Sequence, residues 1–378
     1  MESKIGLYIH IPFCKQKCFY CDFPSYPGME DYWKPYIDAL VQELILKAEE
    51  YQTPYVETVF IGGGTPSLIP AEFISKVLDT VYLHYHVASD CECTIECNPG
   101  TLSKEKLKIY KDSGVNRLSI GLQACQDKLL KSLGRIHTFE DFLSSVELAR
   151  KYKFDNLNAD IIFGIPDQTF EQWQETVARI ISLDLDHVSC YSLIIEEDTV
   201  YGNMKKEGTI KEADDELDRK MYHYAVESFN AAGLYQYEIS NFAKPHLRCR
   251  HNMNYWRRGE YLGVGAGAHS HYNGRRFANT QDIALYIGGV NSRKLVLSED
   301  NYLSREDRLE ESIFLGLRLN EGIDISELSK EYGTDLESRI NSKLHKFISQ
   351  NLIERNGNVI RLTEKGMDFA NAIIVELI

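Results

Sequence analysis

Cys14, Cys18 and Cys21 are spaced C-x3-C-x2-C, with Lys15, Gln16 and Lys17 in the first gap and Phe19 and Tyr20 in the second. Three thiols this close in a polar loop form a ligand set for metal. A structural zinc site takes four protein ligands, whereas a 4Fe-4S cluster on three thiolates keeps one iron open to an external ligand. A purely apolar, buried role for the trio sits poorly with the Lys-Gln-Lys spacer. Zinc with His10 as fourth ligand would have to recruit the strand that carries the loop. Further on, Gly62-Gly63-Gly64 follows a strand-like run but lacks the Lys-Ser/Thr of a phosphate-binding loop. It reads as a tight strand-to-helix turn, or as backbone that approaches a ligand's amino group. Cys91, Cys93 and Cys97 share one face of a strand. A second metal site is one reading, but a rigid strand spaces them too widely to clasp one ion, so small residues packed beneath helices is the better one. Cys125, Cys190 and Cys249 have no partners in sequence.

The elements that must position these residues follow from periodicity. Strand-like runs at 5–11, 57–61, 92–96, 116–121, 156–163 and 187–193 alternate with helical patterns at 31–50, 70–83, 103–113, 138–151 and 169–183. Such alternation predicts an α/β fold with a parallel sheet, and six units fall short of a closed eight-fold barrel, so a partial (β/α)6 TIM-like barrel is expected over 1–205. The cysteine loop then lies at the carboxyl end of the first strand, where barrels place their chemistry. Within 206–300 the pattern predicts an α+β extension: a long helix over 207–233, a strand at 235–239, and a stretch over 241–279 rich in Gly, His, Arg and aromatics. Over 301–378, helical patterns at 306–319, 325–332 and 335–350 precede two short β-runs at 353–355 and 359–362, a winged-helix-like domain.

Charge narrows the function classes. The 378 residues carry 42 Lys and Arg against 56 Asp and Glu, a net charge of −14, which argues against a general nucleic-acid grip. The winged-helix-like tail has ten cationic against fourteen acidic residues, so a contact role is expected of it and no nucleic-acid partner. No run approaches the roughly 18–20 apolar residues that span a bilayer, and the amino terminus does not resemble a secretion signal. With nine cysteines, an odd number, the expectation is a reducing, cytoplasmic location rather than a disulfide framework.

The C-x3-C-x2-C loop after a first strand, with an aromatic just before the third Cys, resembles the radical S-adenosylmethionine superfamily. Within it, Tyr8-Ile9-His10-Ile11-Pro12-Phe13-Cys14, the run Phe60 to Ser67 and the run Ile162 to Thr169 resemble the oxygen-independent coproporphyrinogen III oxidase family, over essentially the whole chain. The resemblance implies a 4Fe-4S cluster on Cys14, Cys18 and Cys21, with S-adenosylmethionine on the open iron. It also implies that Tyr8 and Tyr20 flank that cofactor, that Gly63, Gly64 and Thr65 contact its methionine end, and that Glu96, Gln123, Arg135 and Asp160 complete the pocket. Charge logic agrees in part: a sulfonium and an ammonium want acceptors such as Glu96 and Asp160, and a carboxylate wants Arg135. Taken singly, each is an ordinary surface or salt-bridged residue; only their joint placement at strand ends singles them out.

Two departures point away from the oxidases. Phe23 stands where those enzymes have another Cys, and the first expected strand begins at residue 5, without their long amino-terminal extension. Both match the heme chaperone branch of the family, which implies heme as a third bound group, heme-accepting respiratory proteins and an electron donor for the cluster as partners, and peripheral membrane contact during heme transfer. A homodimer stays open. Cys249-Arg250-His251-Asn252-Met253-Asn254-Tyr255-Trp256 resembles that branch's His-Asn-x-x-Tyr-Trp motif. It offers an imidazole for iron, aromatics for a porphyrin face and, from Lys244 to Arg258, five Lys and Arg with no acid. The plainer reading is that His251 hydrogen-bonds within the extension and Trp256 packs on the barrel. Cys249, Met253, His269 and His271 are further candidates for the iron. The alternative function is the oxidase itself, radical decarboxylation of coproporphyrinogen III to protoporphyrinogen IX; a third is a DNA-binding sensor. The cysteine loop, 12–28, is expected to be poorly ordered without a cluster.

Overall fold

Along each barrel strand, residues alternate between an apolar outer face and a polar inner one. Ile5, Leu7, Ile9 and Ile11 pack into the helix-covered core while Tyr8 and His10 face the interior, and Leu118, Ile120 and Leu122 alternate in the same way with Arg117, Ser119 and Gly121. The computed structural model describes residues 4–378. Strands β1 (Lys4–Ile11), β2 (Tyr55–Gly63), β3 (His86–Cys97), β4 (Arg117–Gln123), β5 (Asn156–Phe163) and β6 (His187–Ser192) lie parallel in sequence order. Between them run α1 (Trp33–Glu50), α2 (Ala71–His84), α3 (Lys104–Asp112), α4 (Phe139–Lys151) and α5 (Phe170–Ser182). Thr138 and Thr169 start α4 and α5 with capping boxes closed by Asp141 and Gln172. The fold is the expected α/β partial barrel, with six parallel strands in chain order.

The strands of 206–300 build no sheet of their own. β7 (Tyr235–Glu238) and β8 (Asn241–Ala243) add antiparallel to the β6 edge. β9 (Glu260–Val264) pairs parallel with β1 and is followed by the antiparallel β10 (His269–Tyr272), β11 (Arg275–Asn279) and β12 (Leu297–Tyr302). The result is one open twelve-stranded sheet with seven parallel strands at its centre. The long helix expected over 207–233 is α6 (Asp215–Ala231) alone, because Gly208 at φ 72° stops the preceding helix Val200–Lys206 and Asp214 caps the next through Leu217 N. Beyond these lie α7 (Arg250–Trp256) and α8 (Ile283–Asn291).

The carboxy-terminal module has its own core, running from Leu309 to Leu377. α9 (Arg305–Gly316), α10 (Ile325–Tyr332) and α11 (Leu336–Ser349) carry the hairpin β13 (Ile353–Asn356) and β14 (Val359–Leu362), and α12 (Ala370–Leu377) is an addition that periodicity did not show. Four of its ten cations are paired with acids: Arg339 with Glu306, Lys346 with Glu376, Arg355 with Glu337 and Arg361 with Glu354. With acids in excess and the cations partly paired, the module offers phosphates little. Among the described residues no helix is long and apolar enough to cross a membrane.

One buried polar cluster joins barrel and extension. Glu43 and Lys47 on α1 form an ion pair of 2.8 Å at 0% and 1% side-chain exposure. Glu43 also accepts from Gly265 N, Asn279 Nδ2 and Tyr286 OH at 2.6 to 2.8 Å, and Lys47 donates to Gly263 O. Removing one member leaves an uncompensated buried charge. Glu43→Ala is therefore expected to cost about 3–5 kcal/mol, read as a lower urea midpoint of the full chain; a change below about 1 kcal/mol would show that the pair is not the joint.

Candidate functional site

The ends of β1 to β6 meet at one rim, and the cysteine loop arches over it. The loop contains little regular structure, only a short pairing of Phe13–Cys14 with Tyr26–Pro27, yet it is tied down on several sides. Phe19 N donates to Leu133 O, Tyr201 N to Phe19 O, Gln16 Nε2 to Gly134 O and Tyr26 OH to Gln281 O. These contacts tie the loop, expected to be poorly ordered without a cluster, to the helix and strand segments around it.

Cys14, Cys18 and Cys21 are free and partly exposed. Cys14 Sγ lies 3.5 Å from Thr65 Oγ1, and Cys21 Sγ 4.0 Å from Ser25 Oγ. Burial pushes the Cys14 and Cys18 thiols up, and the nearby Arg135 guanidinium works against that. Among the described residues no three His, Cys, Asp or Glu side chains converge as ligands of a single ion. A cluster binds thiolates at separate corners, and a loop that spreads them suits it. His10 is committed elsewhere: its ring nitrogens hydrogen-bond Tyr8 OH and Pro24 O at 2.9 Å each.

Beside the thiols the glycine run closes in. Gly63 has φ 117°, and a Cβ there would stand 2.5 Å from the His10 ring; one on Gly64 would stand 2.7 Å from Phe13 O and 3.0 Å from Cys14 Sγ. Only glycine allows this approach. Gly63 N donates to Glu96 Oε2 at 3.0 Å. Thr65 Oγ1 accepts from Asn98 Nδ2, Asn98 Oδ1 accepts from Arg135 Nη1, and Arg135 Nη2 donates to Tyr20 OH at 2.8 Å. Arg135 Nε is buried without a partner, a donor that a ligand's carboxylate would satisfy. A Cβ on Gly121 would stand 3.0 Å from Gln123 Nε2 and 3.5 Å from Arg135 Nη2, which places Gln123 in the same group. Asp160 is held from below by Ser119 and Asn158. The donor set fits a three-thiolate cluster, and the acceptors and the guanidinium around it fit an amino acid group.

The structure thus brings Tyr8, Tyr20, the three cysteines, Gly63, Gly64, Thr65, Glu96, Gln123, Arg135 and Asp160 to one rim. Asn98, which links Thr65 to Arg135, and Tyr191, 40% exposed at the end of β6, went unnoticed in the sequence. Asn98 had a signal, since it follows the strand residue Cys97 directly; Tyr191 had none. Cys91, Cys93 and Cys97 are buried in the outer core, their thiols pushed up by burial, Cys91 and Cys97 to about 12.

His251 lies elsewhere. It is 1% exposed in α7, which plugs the amino-terminal end of the barrel. Its nitrogens hydrogen-bond Thr58 Oγ1 at 2.8 Å and Tyr255 OH at 2.9 Å, and its ring stacks on Phe60. Glu92 accepts the Arg250 and His251 amides that start the helix. So placed, His251 has no ring nitrogen left for iron. Burial and Arg117 lower it to about 3, so it stays neutral. Trp256 packs between the sheet and the carboxy-terminal module, against a cluster of Tyr237, Ala243, Met253 and Leu319 with Arg318 over its ring. Four of the five cations around it meet acids from distant segments: Lys244 with Asp184 and Asp186, Arg250 with Asp90, and Arg248 and Arg257 with Glu321. Cys249 and Met253 are also buried.

Glu96 carries a testable signature. Burial, with Asp160 adding to it, pushes its carboxyl from the ordinary 4.5 up to about 8. Between those values the folded protein holds a proton that the unfolded chain releases, so this group makes stability fall as pH rises from about 4.5 to about 8. Unfolding midpoints of the cluster-free protein across this window should fall less in Glu96→Gln than in the unsubstituted chain; parallel curves would remove the carboxyl from the account.

Against known proteins, the radical SAM superfamily model matches residues 8–180 and the HemN C-terminal domain model residues 303–369. The chain is 37% identical to the heme chaperone HemW of Bacillus subtilis, covering 97% of both chains. It is 34% identical to HemW of Escherichia coli, over 98% of this chain and 97% of that one. Coproporphyrinogen III oxidase HemN of Escherichia coli superposes with a TM-score of 0.87 at 22% identity, over 100% of this chain and 90% of the other, a likeness of fold. With a cysteine loop, a glycine run and a carboxyl rim arranged as described, and with relatives this similar over nearly their whole length, the chain belongs to the radical SAM superfamily and, within it, to the heme chaperone HemW family.

Proposed function

We propose that this chain binds a 4Fe-4S cluster on Cys14, Cys18 and Cys21, binds S-adenosylmethionine beside it, and carries heme in the cytoplasm for delivery to respiratory proteins. The observation that carries the reading is the three-thiol loop over a rim with Glu96 and Arg135, in a chain alike over 97% of its length to a protein named a heme chaperone. Gly63 and Glu96 would meet the cofactor's ammonium and Arg135 its carboxylate, with Thr65 and Asn98 holding Arg135 and Cys14 in relation. Asp160, fixed by Ser119 and Asn158, faces the same space, and Tyr8 and Tyr20 wall it against water. When bound, cluster and S-adenosylmethionine supply one-electron reducing chemistry at the rim. The partners are an electron donor and the proteins that accept heme.

The oxidase reading shares the fold, and one experiment separates the two. After anaerobic reconstitution with iron and sulfide, the chain should bind heme stoichiometrically and leave coproporphyrinogen III unconsumed in the presence of S-adenosylmethionine and a reductant. Cys14→Ser, Cys18→Ser or Cys21→Ser should each abolish the cluster's absorbance and its paramagnetic signal on reduction. Formation of protoporphyrinogen IX would make the chain an oxidase, and absence of heme binding with an intact cluster would end the chaperone reading.

A further inference from the structure

The barrel's concave wall continues from β1 onto β9, β10 and β11, where residues paired across the ladder point to the same side: Gly6 with Tyr261, Tyr261 with His271, and His271 with Arg276. The cysteine loop on one side and α9 on the other close this wall into a cleft of about 580 Å³, within the range of small-molecule sites. Tyr255, Tyr261 and Phe23, the last 62% exposed, give it an aromatic wall, with Asp22, Arg276 and Gln281 as its other polar lining. A flat apolar ligand gains most from such rings.

Three imidazoles border the cleft, and their bonding separates them. His10 is occupied at both nitrogens, and His271 contacts Arg258 Nη1 at 3.2 Å and Gly259 O at 3.4 Å. His269 is different. Its side chain is 56% exposed, its Nδ1 stands 3.7 Å from Glu299 Oε2, and its Nε2 has no partner among the described residues. A carboxylate behind one nitrogen with the other free is how proteins orient a metal-binding imidazole. Arg258 is the second observation. Of the five cations between Lys244 and Arg258 it is the one without an ion pair among the described residues; half-buried, it is held toward the cleft by Ser312 Oγ and His271. A guanidinium so placed suits a carboxylate on the ligand.

A second cleft of about 650 Å³ opens at the opposite end of the barrel and contains the exposed His246. Its cations Lys244, Arg248, Arg250 and Arg257 are already matched by acids, and beside Ile5, Pro245 and Met253 its walls offer the single phenol ring of Tyr235 in place of a ring cluster. It lacks both features that single out the first.

We propose that heme seats in the cleft between the cysteine loop, β9–β11 and α9, with His269 Nε2 as an axial ligand to iron and Arg258 receiving a propionate; this rests on the heme reading above. Glu299 is the carboxylate beside His269 Nδ1. His251 is a positioning residue, since its Nε2 fixes Tyr255 OH and hence one aromatic wall. The motif around His251 then shapes the heme site from behind without touching iron.

Ferric heme titrated into the reconstituted full chain, followed by Soret absorbance and electron paramagnetic resonance, tests this. His269→Ala and His269→Gln should each lose the imidazole-ligated spectrum and weaken binding by about tenfold or more, with the spectrum restored by added imidazole. Arg258→Gln should weaken binding and keep the spectrum. His251→Ala should keep the imidazole-ligated spectrum in whatever heme it binds, and His246→Ala should match the unsubstituted chain. Unchanged spectrum and affinity in both His269 variants, or loss of the spectrum in His251→Ala or His246→Ala alone, would overturn the assignment while leaving the heme reading standing. No heme binding by the unsubstituted chain would overturn both.

Discussion

Glu43 is the interaction on which the rest of the molecule depends. It sits inside α1, fully excluded from water, and a bare carboxylate there would be prohibitively costly. It is tolerated because Lys47, Gly265, Asn279 and Tyr286 each give it a hydrogen, three of these from segments more than 200 residues away. That demand fixes where β9 and β11 run relative to α1. With β9 held there, β1 gains a parallel neighbour on its free side and the concave wall extends beyond six strands. One buried charge thus couples the barrel to the surface that forms the cleft beside the cysteine loop.

The two ends of the barrel differ in what their polar groups do. At the amino-terminal end Glu92 caps α7, and Thr58 and Tyr255 take both nitrogens of His251, while the buried Arg117 Nε has no hydrogen-bond partner. At the carboxyl end Arg135 Nε is likewise unpartnered, Glu96 is held above its ordinary range with one amide for company, and three thiols stand free. The free thiols and the raised carboxyl, more than an unpaired nitrogen, make the carboxyl end the candidate site.

Much of this was legible in the chain itself. Period-two alternation marked all six barrel strands because each buries one face beneath helices, and capping residues such as Thr138 and Thr169 marked where helices begin. Cys14, Cys18 and Cys21 were visible because a ligand set on one loop is local. The glycines before Thr65 were visible too, but whether they formed a plain turn or a close approach was settled by the His10 ring and Cys14 Sγ, which lie about 50 residues away and leave no room for a Cβ.

What escaped the sequence depended on distant partners. The seventh parallel strand, Glu260–Val264, pairs with the first strand of the chain, and no local period announces such a neighbour. The stretch from Lys244 to Arg258 is free of acids in sequence, yet Asp90, Asp184, Asp186 and Glu321 neutralise four of its five cations in space. His251 is conspicuous as a residue type and silent as a chemical group, because its donor and acceptor are both taken. The sequence by itself determined the elements, the barrel class and the local ligand loop, since these rest on spacing within a few turns of chain. Only the tertiary structure decided which charges remain unpaired and which imidazoles remain free, because pairing is a property of neighbours brought together across hundreds of residues.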